Sequence, residues 1–370
     1  MSAASTGATC RPERPRHSYL SLFSWLAVCG LVIGALGAEL WLRLERRRDA
    51  PAVERLARRN AFEQGLVHGV HRSLWGPGGM GSDYRPHAFV EVELAAGPYR
   101  VVINGQGYRT REIGPKPPGT VRLLCIGAST TVQGATNETT YPALLEARLR
   151  DSFAGSSIEV LNLGVSGTRS DRWLDRLDEL FAYEPDIVLQ YNGANDLLLE
   201  HLPAWAAARP RDRAIRHRSL LWDRLRRPSG SDLTQALAAT VDRFESIERA
   251  CDARRTAYVL GSFAAPDPAT ASSDLLAYLD VVTERWSSGS IRHYRAYWRL
   301  LDRLDAALVA MAGREAIPVA DVRARVREAR LFVDLCHMSP RGIERQAEAF
   351  HAAVAPLVTM RLQAAAAAIG

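Results

Sequence analysis

Lysine is all but absent: among 47 basic residues Lys116 is the only one, and the net charge of +6 is carried by arginine. No glycine-rich loop therefore has the lysine of a nucleotide phosphate site, and Schiff-base or lysine general-base chemistry has almost no candidate. Cysteine is sparse too. Cys10, Cys29, Cys125, Cys251 and Cys336 show neither paired spacing nor a Cys-x-x-Cys, which argues against a disulfide framework and against a zinc site. The arginines are scattered along helical faces instead of gathered into an aromatic-interleaved patch, so nucleic acid is not an expected partner. What remains is the composition of an ordinary globular chain, 47% hydrophobic and 24% charged over 370 residues, long enough for an anchor and one sizeable domain.

The one long apolar run lies near the start. Residues 1–17 are polar, with Arg11, Arg14 and Arg16, and read as a cytoplasmic tail. No charge interrupts residues 18–38, and a transmembrane helix over 18–42 is expected, serving as a signal anchor, with Tyr19 and Trp41 near the two interfaces. A cleaved signal peptide is the alternative reading, although the run exceeds the usual ~7–15-residue core of such signals. Arg43, Arg46, Arg47, Arg48, Arg55, Arg58 and Arg59 outnumber the arginines before the span, and charge counting would keep the rest of the chain in the cytoplasm. Large domains are translocated regardless of flanking charge, so the conflict stays open. Residues 43–81 read as a helical linker, broken by Trp75-Gly-Pro-Gly-Gly-Met-Gly81. Residues 82–118 read as a small β-rich element: 88–102 alternate like strand, Asn104-Gly-Gln-Gly-Tyr-Arg109 has the composition of a hairpin turn, and Pro115, Pro117 and Pro118 close the segment.

From residue 119 to about 363 strands and helices alternate. Strands are expected at 122–127, 158–163, 186–192, 256–262 and 317–322, and helices at 141–153, 171–183, 233–254, 293–312 and 339–362. Five such units predict an α/β domain whose central parallel five-stranded sheet is covered by helices on both faces. Residues 202–228 and 264–290 do not fit the alternation. Both follow strand ends and read either as covers over a site or as surface insertions.

Polar clusters stand where the strands end. The first strand stops at Gly127-Ala-Ser129, delivering a hydroxyl at the carboxyl edge of the sheet, where open α/β folds bind ligands. The second ends Asn162-Leu-Gly-Val-Ser-Gly167 and the third Asn192-Gly-Ala-Asn-Asp196; near the C-terminus comes Asp334-Leu-Cys-His337. Singly, Ser129 also reads as a helix cap, Asn162, Gly164 and Asn195 as turn residues, and Asp334 as a solvated loop acid.

Together, and in this order, the four blocks resemble the SGNH subgroup of the GDSL-type hydrolases, over about residues 121–362. The resemblance implies a three-layer α/β/α flavodoxin-like domain and a serine esterase without metal or organic cofactor. It assigns Ser129, Asp334 and His337 to a catalytic triad, and Ser129, Gly164 and Asn195 to the oxyanion hole. In that scheme Ser129 Oγ attacks a carbonyl carbon, His337 takes and returns its proton, and Asp334 fixes the imidazole tautomer. One departure is visible: the first block of the family reads Gly-Asp-Ser, and Ala128 stands in place of the Asp. Asn192 and Asp196 read as structural. The Asn-x-x-Gly-Tyr-Arg segment ending at Arg109 is similar to one that precedes the hydrolase domain in many membrane-anchored bacterial relatives.

The expectation is a hydrolase of small-molecule or glycan acyl esters. It is held by its N-terminal helix in the inner membrane, with the catalytic domain outside the cytoplasm, the side on which such relatives place it. An O-acetyltransferase of a cell-envelope polysaccharide would use the same triad, because water and a sugar hydroxyl compete for one acyl-enzyme. A non-catalytic glycan-binding envelope protein is the third reading, and it gives no reason for a base-activated serine.

Overall fold

The computed structural model describes residues 17–68, 72–79, 81–94, 97–198, 230–287, 291 and 293–369. Two compact units divide the chain: residues 1–48 with 209–226, and residues 49–208 with 227–370. The described part of the first unit is helical, the opening portion of α1 (His17–His68). It contains Phe23–Leu44, 22 residues of mean hydropathy 1.8, long and apolar enough to cross a bilayer, with Phe23, Leu31 and Ile33 exposed along it. A signal sequence passes the same test of length and composition. The tail expected over 1–17, apart from His17, and the insertion at 202–228 lie outside the described residues.

In the second unit β1 (Phe89–Leu94) and β2 (Gly97–Val102) pair antiparallel, Phe89 opposite Val102. The hairpin therefore closes between residues 94 and 97. The turn expected at 104–109 is a separate one, because the Asn104 side chain folds back on it: Oδ1 accepts from the backbone of Gln106 and Tyr108, and Nδ2 donates to the Arg111 carbonyl.

The main sheet is all parallel. Its strands are β3 (Val121–Gly127), β4 (Ile158–Asn162), β5 (Ile187–Tyr191), β6 (Ala257–Gly261) and β7 (Val319–Ala320), in the order β4-β3-β5-β6-β7. Every residue of β3 and β5 is buried, as expected of strands covered on both faces. Even Arg122 is buried, and its guanidinium bonds Glu159, the Tyr183 carbonyl and the Gly114 carbonyl. The order reverses at β3, whose neighbours are the second and third strands of the sheet. The loops leaving β3, β4 and β5 thus open the crevice in which flavodoxin-like sheets bind ligands.

Short α2 (Ser129–Val132) follows β3, and α3 (Tyr141–Ser152) returns the chain to β4. The helix expected over 171–183 is two, α4 (Asp171–Leu174) and α5 (Leu177–Ala182). Arg176 breaks it with a non-helical backbone, and its guanidinium reaches Asp83 and Glu179. Beyond β5 come α6 (Ala194–Leu198) and α7 (Gly230–Asp252); beyond β6 come α8 (Ser273–Trp286) and α9 (Tyr294–Arg314). The last strand is shorter than the expected 317–322, because Asp321 instead caps α10 (Val322–Arg325), its side chain accepting from the Ala324 N–H. The chain ends in α11 (Pro340–Ile369), which packs on α3, β6 and β7, while α7 packs on α4, α6, α9 and β6. Stacked rings of Tyr141 and Phe350, and of Tyr191 and Phe263, fill the core between sheet and helices.

Candidate active site

Gly127 ends β3 because nothing larger fits: a Cβ there would run into Thr131 Oγ1 and the Tyr191 carbonyl oxygen of the neighbouring strand. The chain turns at Ala128, and Ser129 opens α2. Ala128 gives no side-chain cap, and its carbonyl accepts the Thr131 and Val132 N–H groups as the first bonds of the helix.

Ser129 Oγ lies 2.8 Å from His337 Nε2, across 208 positions of sequence. His337 Nδ1 lies 2.9 Å from each carboxylate oxygen of Asp334. Asp334 also holds its own loop, since Oδ1 accepts the backbone N–H groups of Cys336 (3.0 Å) and His337 (2.8 Å). The Val333 N–H donating to the His337 carbonyl closes that loop further. Both side chains are buried, whereas Ser129 is partly open to the cleft. The serine is therefore the most accessible member of the row.

Gly164 and Asn195 follow the two neighbouring strands, β4 and β5. A Cβ on Gly164 would sit 2.7 Å from Thr131 Cβ, so the loop after β4 presses directly on the helix that carries Ser129. Asn162 fastens this contact, its Nδ2 donating to the Thr131 carbonyl (3.1 Å) and its Oδ1 accepting the Gly164 N–H (3.1 Å). Asn195, in the first turn of α6, donates one amide hydrogen to the Thr168 carbonyl (2.7 Å) on the same β4 loop. The second amide hydrogen is left by this bond for another acceptor.

Asn192 and Asp196 serve the scaffold. Asn192 Oδ1 accepts from Gln190 Nε2 (3.1 Å). Asp196 Oδ1 accepts from the Ser170 N–H and hydroxyl and from Arg243, and burial pushes this carboxyl above its usual range. Asp334, Cys336 and His337 also bring three ligand-type atoms within 4.8 Å of one another. As a metal set it is poor: burial and the Asp334 charge push the Cys336 thiol well up, disfavouring the thiolate that a metal needs.

Two further residues lie against this row. Gln133 is fully buried between the Ser129 and His337 segments, with Oε1 accepting the Met338 N–H. A glutamine four positions past a serine carries no signal of its own. Trp286, the last residue of α8, sets its indole 5.7 Å from the His337 ring, edge to face. Of the two irregular insertions, the one at 264–290 thus reaches the site.

The GDSL-like Lipase/Acylhydrolase family matches residues 125–345, more than half of the chain. No curated protein matches it. Among solved structures, an acetylxylan esterase (Axe2) from Geobacillus stearothermophilus is 17% identical, with a TM-score of 0.42 and coverage of 65% of this chain and 95% of that one. The lipase/acylhydrolase from Enterococcus faecalis is 14% identical, with a TM-score of 0.42 and coverage of 64% and 96%. A member of the lipolytic G-D-S-L family from Veillonella parvula DSM 2008 is 12% identical, with a TM-score of 0.39 and coverage of 62% and 95%. By the match over residues 125–345, the chain belongs to the GDSL-like lipase/acylhydrolase family and is a hydrolase of that kind.

Proposed function

We propose that the protein is a serine esterase that cleaves carboxylic esters through an acyl-enzyme on Ser129. The observation that carries this reading is the row Ser129 Oγ, His337 Nε2 and Nδ1, Asp334, with steps of 2.8 and 2.9 Å. An unassisted serine hydroxyl is a weak nucleophile; an imidazole at hydrogen-bond distance removes its proton as the C–O bond forms. Asp334, buried against Nδ1, keeps Nε2 as the acceptor and stabilises the imidazolium that results. His337 then gives the proton to the departing alcohol, and a water activated by the same ring releases the acid. The oxyanion is met by the Ser129 N–H, by the second amide hydrogen of Asn195 and by the Gly164 N–H, which shares its bond to Asn162 Oδ1 (3.1 Å) with the incoming oxygen. The Ser129 N–H belongs to the first turn of a helix, where no acceptor exists within the helix.

Small-molecule or glycan acyl esters are the proposed substrates, and residues 18–42 the membrane anchor, with the catalytic domain outside the cytoplasm. Purified wild type and Ser129→Ala are to be compared on a short-chain aryl ester and on acetylated oligosaccharides, with acyl acceptors added to separate hydrolysis from transfer. Equal activity of the two proteins overturns the reading. A reporter fused after Gly370 and active in only one compartment tests the orientation.

A further inference from the structure

The family match begins at residue 125, yet two buried side chains from the segment before it reach the loops of the site. Tyr84 pairs with Trp75 in an isolated bridge, and its ring lies 4.8 Å from that indole, tilted by 35°. Its hydroxyl both donates to Ser166 Oγ (3.0 Å) and accepts the Ser166 N–H (3.1 Å). Ser166 lies between Gly164, a proposed oxyanion donor, and Thr168, whose carbonyl anchors Asn195. One phenol thus fixes the loop on which two of the three proposed donors depend.

Arg109 reaches the third. The turn shaped by Asn104 presents it inward, and it is almost wholly buried. Its guanidinium donates to the carbonyls of Val132 and Gly134 and to Asn137 Oδ1 (3.2 Å). Val132 is the last residue of α2, so the charge sits at the carbonyl end of the helix that Ser129 begins. These three acceptors are neutral, and burial pulls the guanidinium below its usual range. A buried cation placed on carbonyls costs free energy, and Arg109 spends it on the segment that follows the nucleophile.

We propose that Tyr84 and Arg109 are positioning residues of the reaction centre, Tyr84 for the loop bearing Gly164 and Asn195, Arg109 for the helix bearing Ser129. The element before the family domain is then part of the catalytic apparatus and not a spacer. This inference rests on the esterase reading above.

The test uses the full-length protein with Tyr84→Phe, Arg109→Lys and Ser129→Ala. A fluorophosphonate probe gives the number of reactive serines from the labelled fraction and their reactivity from the labelling rate. Displacements of under an ångström at a reacting centre cost up to about 100-fold, so both positioning variants are expected to lose about 10- to 100-fold in kcat and in labelling rate per reactive serine. KM should change less than about threefold, and a boronic acid that mimics the tetrahedral state should bind more weakly by a factor similar to the loss in kcat. A purely structural role would lower the melting temperature or the labelled fraction and leave the rate per site unchanged, and that result overturns the proposal. Tyr84→Phe keeps the ring and loses one oxygen, so it decides the question even where Arg109→Lys does not fold. If Ser129→Ala is active, the esterase reading itself fails; if it is inactive while the other two react at wild-type rates, only the positioning proposal fails.

Discussion

Gln133 Oε1 accepts the Met338 N–H at 2.8 Å, while its Nε2 donates to the Thr130 carbonyl and to Gln346 Oε1, each at 3.0 Å. One buried amide therefore joins the residue after Ser129 to the residue after His337. Gln133→Met, which keeps the length and loses every bond, leaves the Met338 N–H and the Thr130 carbonyl without this partner. Each such group costs about 1–3 kcal/mol, so the melting temperature should fall measurably. A drop in kcat among the molecules that remain folded is expected beside it. Thermal melts together with burst titration separate the two effects.

Asp334→Asn should fold, because the amide oxygen can still accept from the Cys336 and His337 N–H groups. It presents the wrong group to Nδ1, however, and about a 10⁴-fold loss of kcat is expected. Steady-state kinetics on an aryl ester, with circular dichroism to show the fold intact, provides the check.

Asn195→Ala removes the side-chain donor of the proposed oxyanion hole. A loss of about 10²- to 10³-fold in kcat with little change in KM is expected. A change confined to KM would move Asn195 from the transition state to ground-state binding.

Gly164→Ala drives a Cβ to 2.7 Å from Thr131 Cβ and 3.0 Å from Val132 Cγ1. Both neighbours sit on α2, so the strain falls on the helix of Ser129. Overpacking of this sort costs about 1–3 kcal/mol, and activity should fall by more than the loss of folded protein explains. Chemical denaturation and active-site titration of the variant measure the two quantities.

His351 on α11 bonds Ser152 Oγ of α3 at 2.9 Å, and burial together with the nearby Arg148 charge lowers its pKa from 6.5. Arg148 is itself paired with Glu348 at 3.0 Å. The fold thus favours the neutral ring. Its contribution is complete above the ordinary imidazole pKa and is lost as pH falls through 6.5 and then through the lowered folded value. His351→Gln should accordingly flatten the decline of the melting temperature on acidification across that window. A decline as steep as in wild type would remove His351 from the account.

Much of this architecture was legible from the chain because its signals are local. The uninterrupted apolar run of β3 and the Gly-x-Ser at its end announce a buried strand and an exposed hydroxyl, and the three-residue spacing of Asp334 and His337 puts both on one loop. The secondary elements failed where side chains from elsewhere intervene. Arg176 breaks a helix to reach Asp83 and Glu179, and Asp321 trades strand for cap. Gln133, Tyr84 and Arg109 were illegible as site residues for the same reason: the bonds from Arg109 to Val132, Tyr84 to Ser166 and Gln133 to Met338 span 23, 82 and 205 positions, and no periodicity encodes such a bond.

The indole of Trp286 beside the His337 ring gives this hydrolase an optical probe of its proposed base. Protonated imidazole quenches indole emission by accepting an excited electron, so the charge on His337 should be written in fluorescence. Subtracting the spectrum of the Trp286→Phe form isolates that signal from the other tryptophans. The titration of the base then becomes visible in the resting protein, without substrate, dye or turnover.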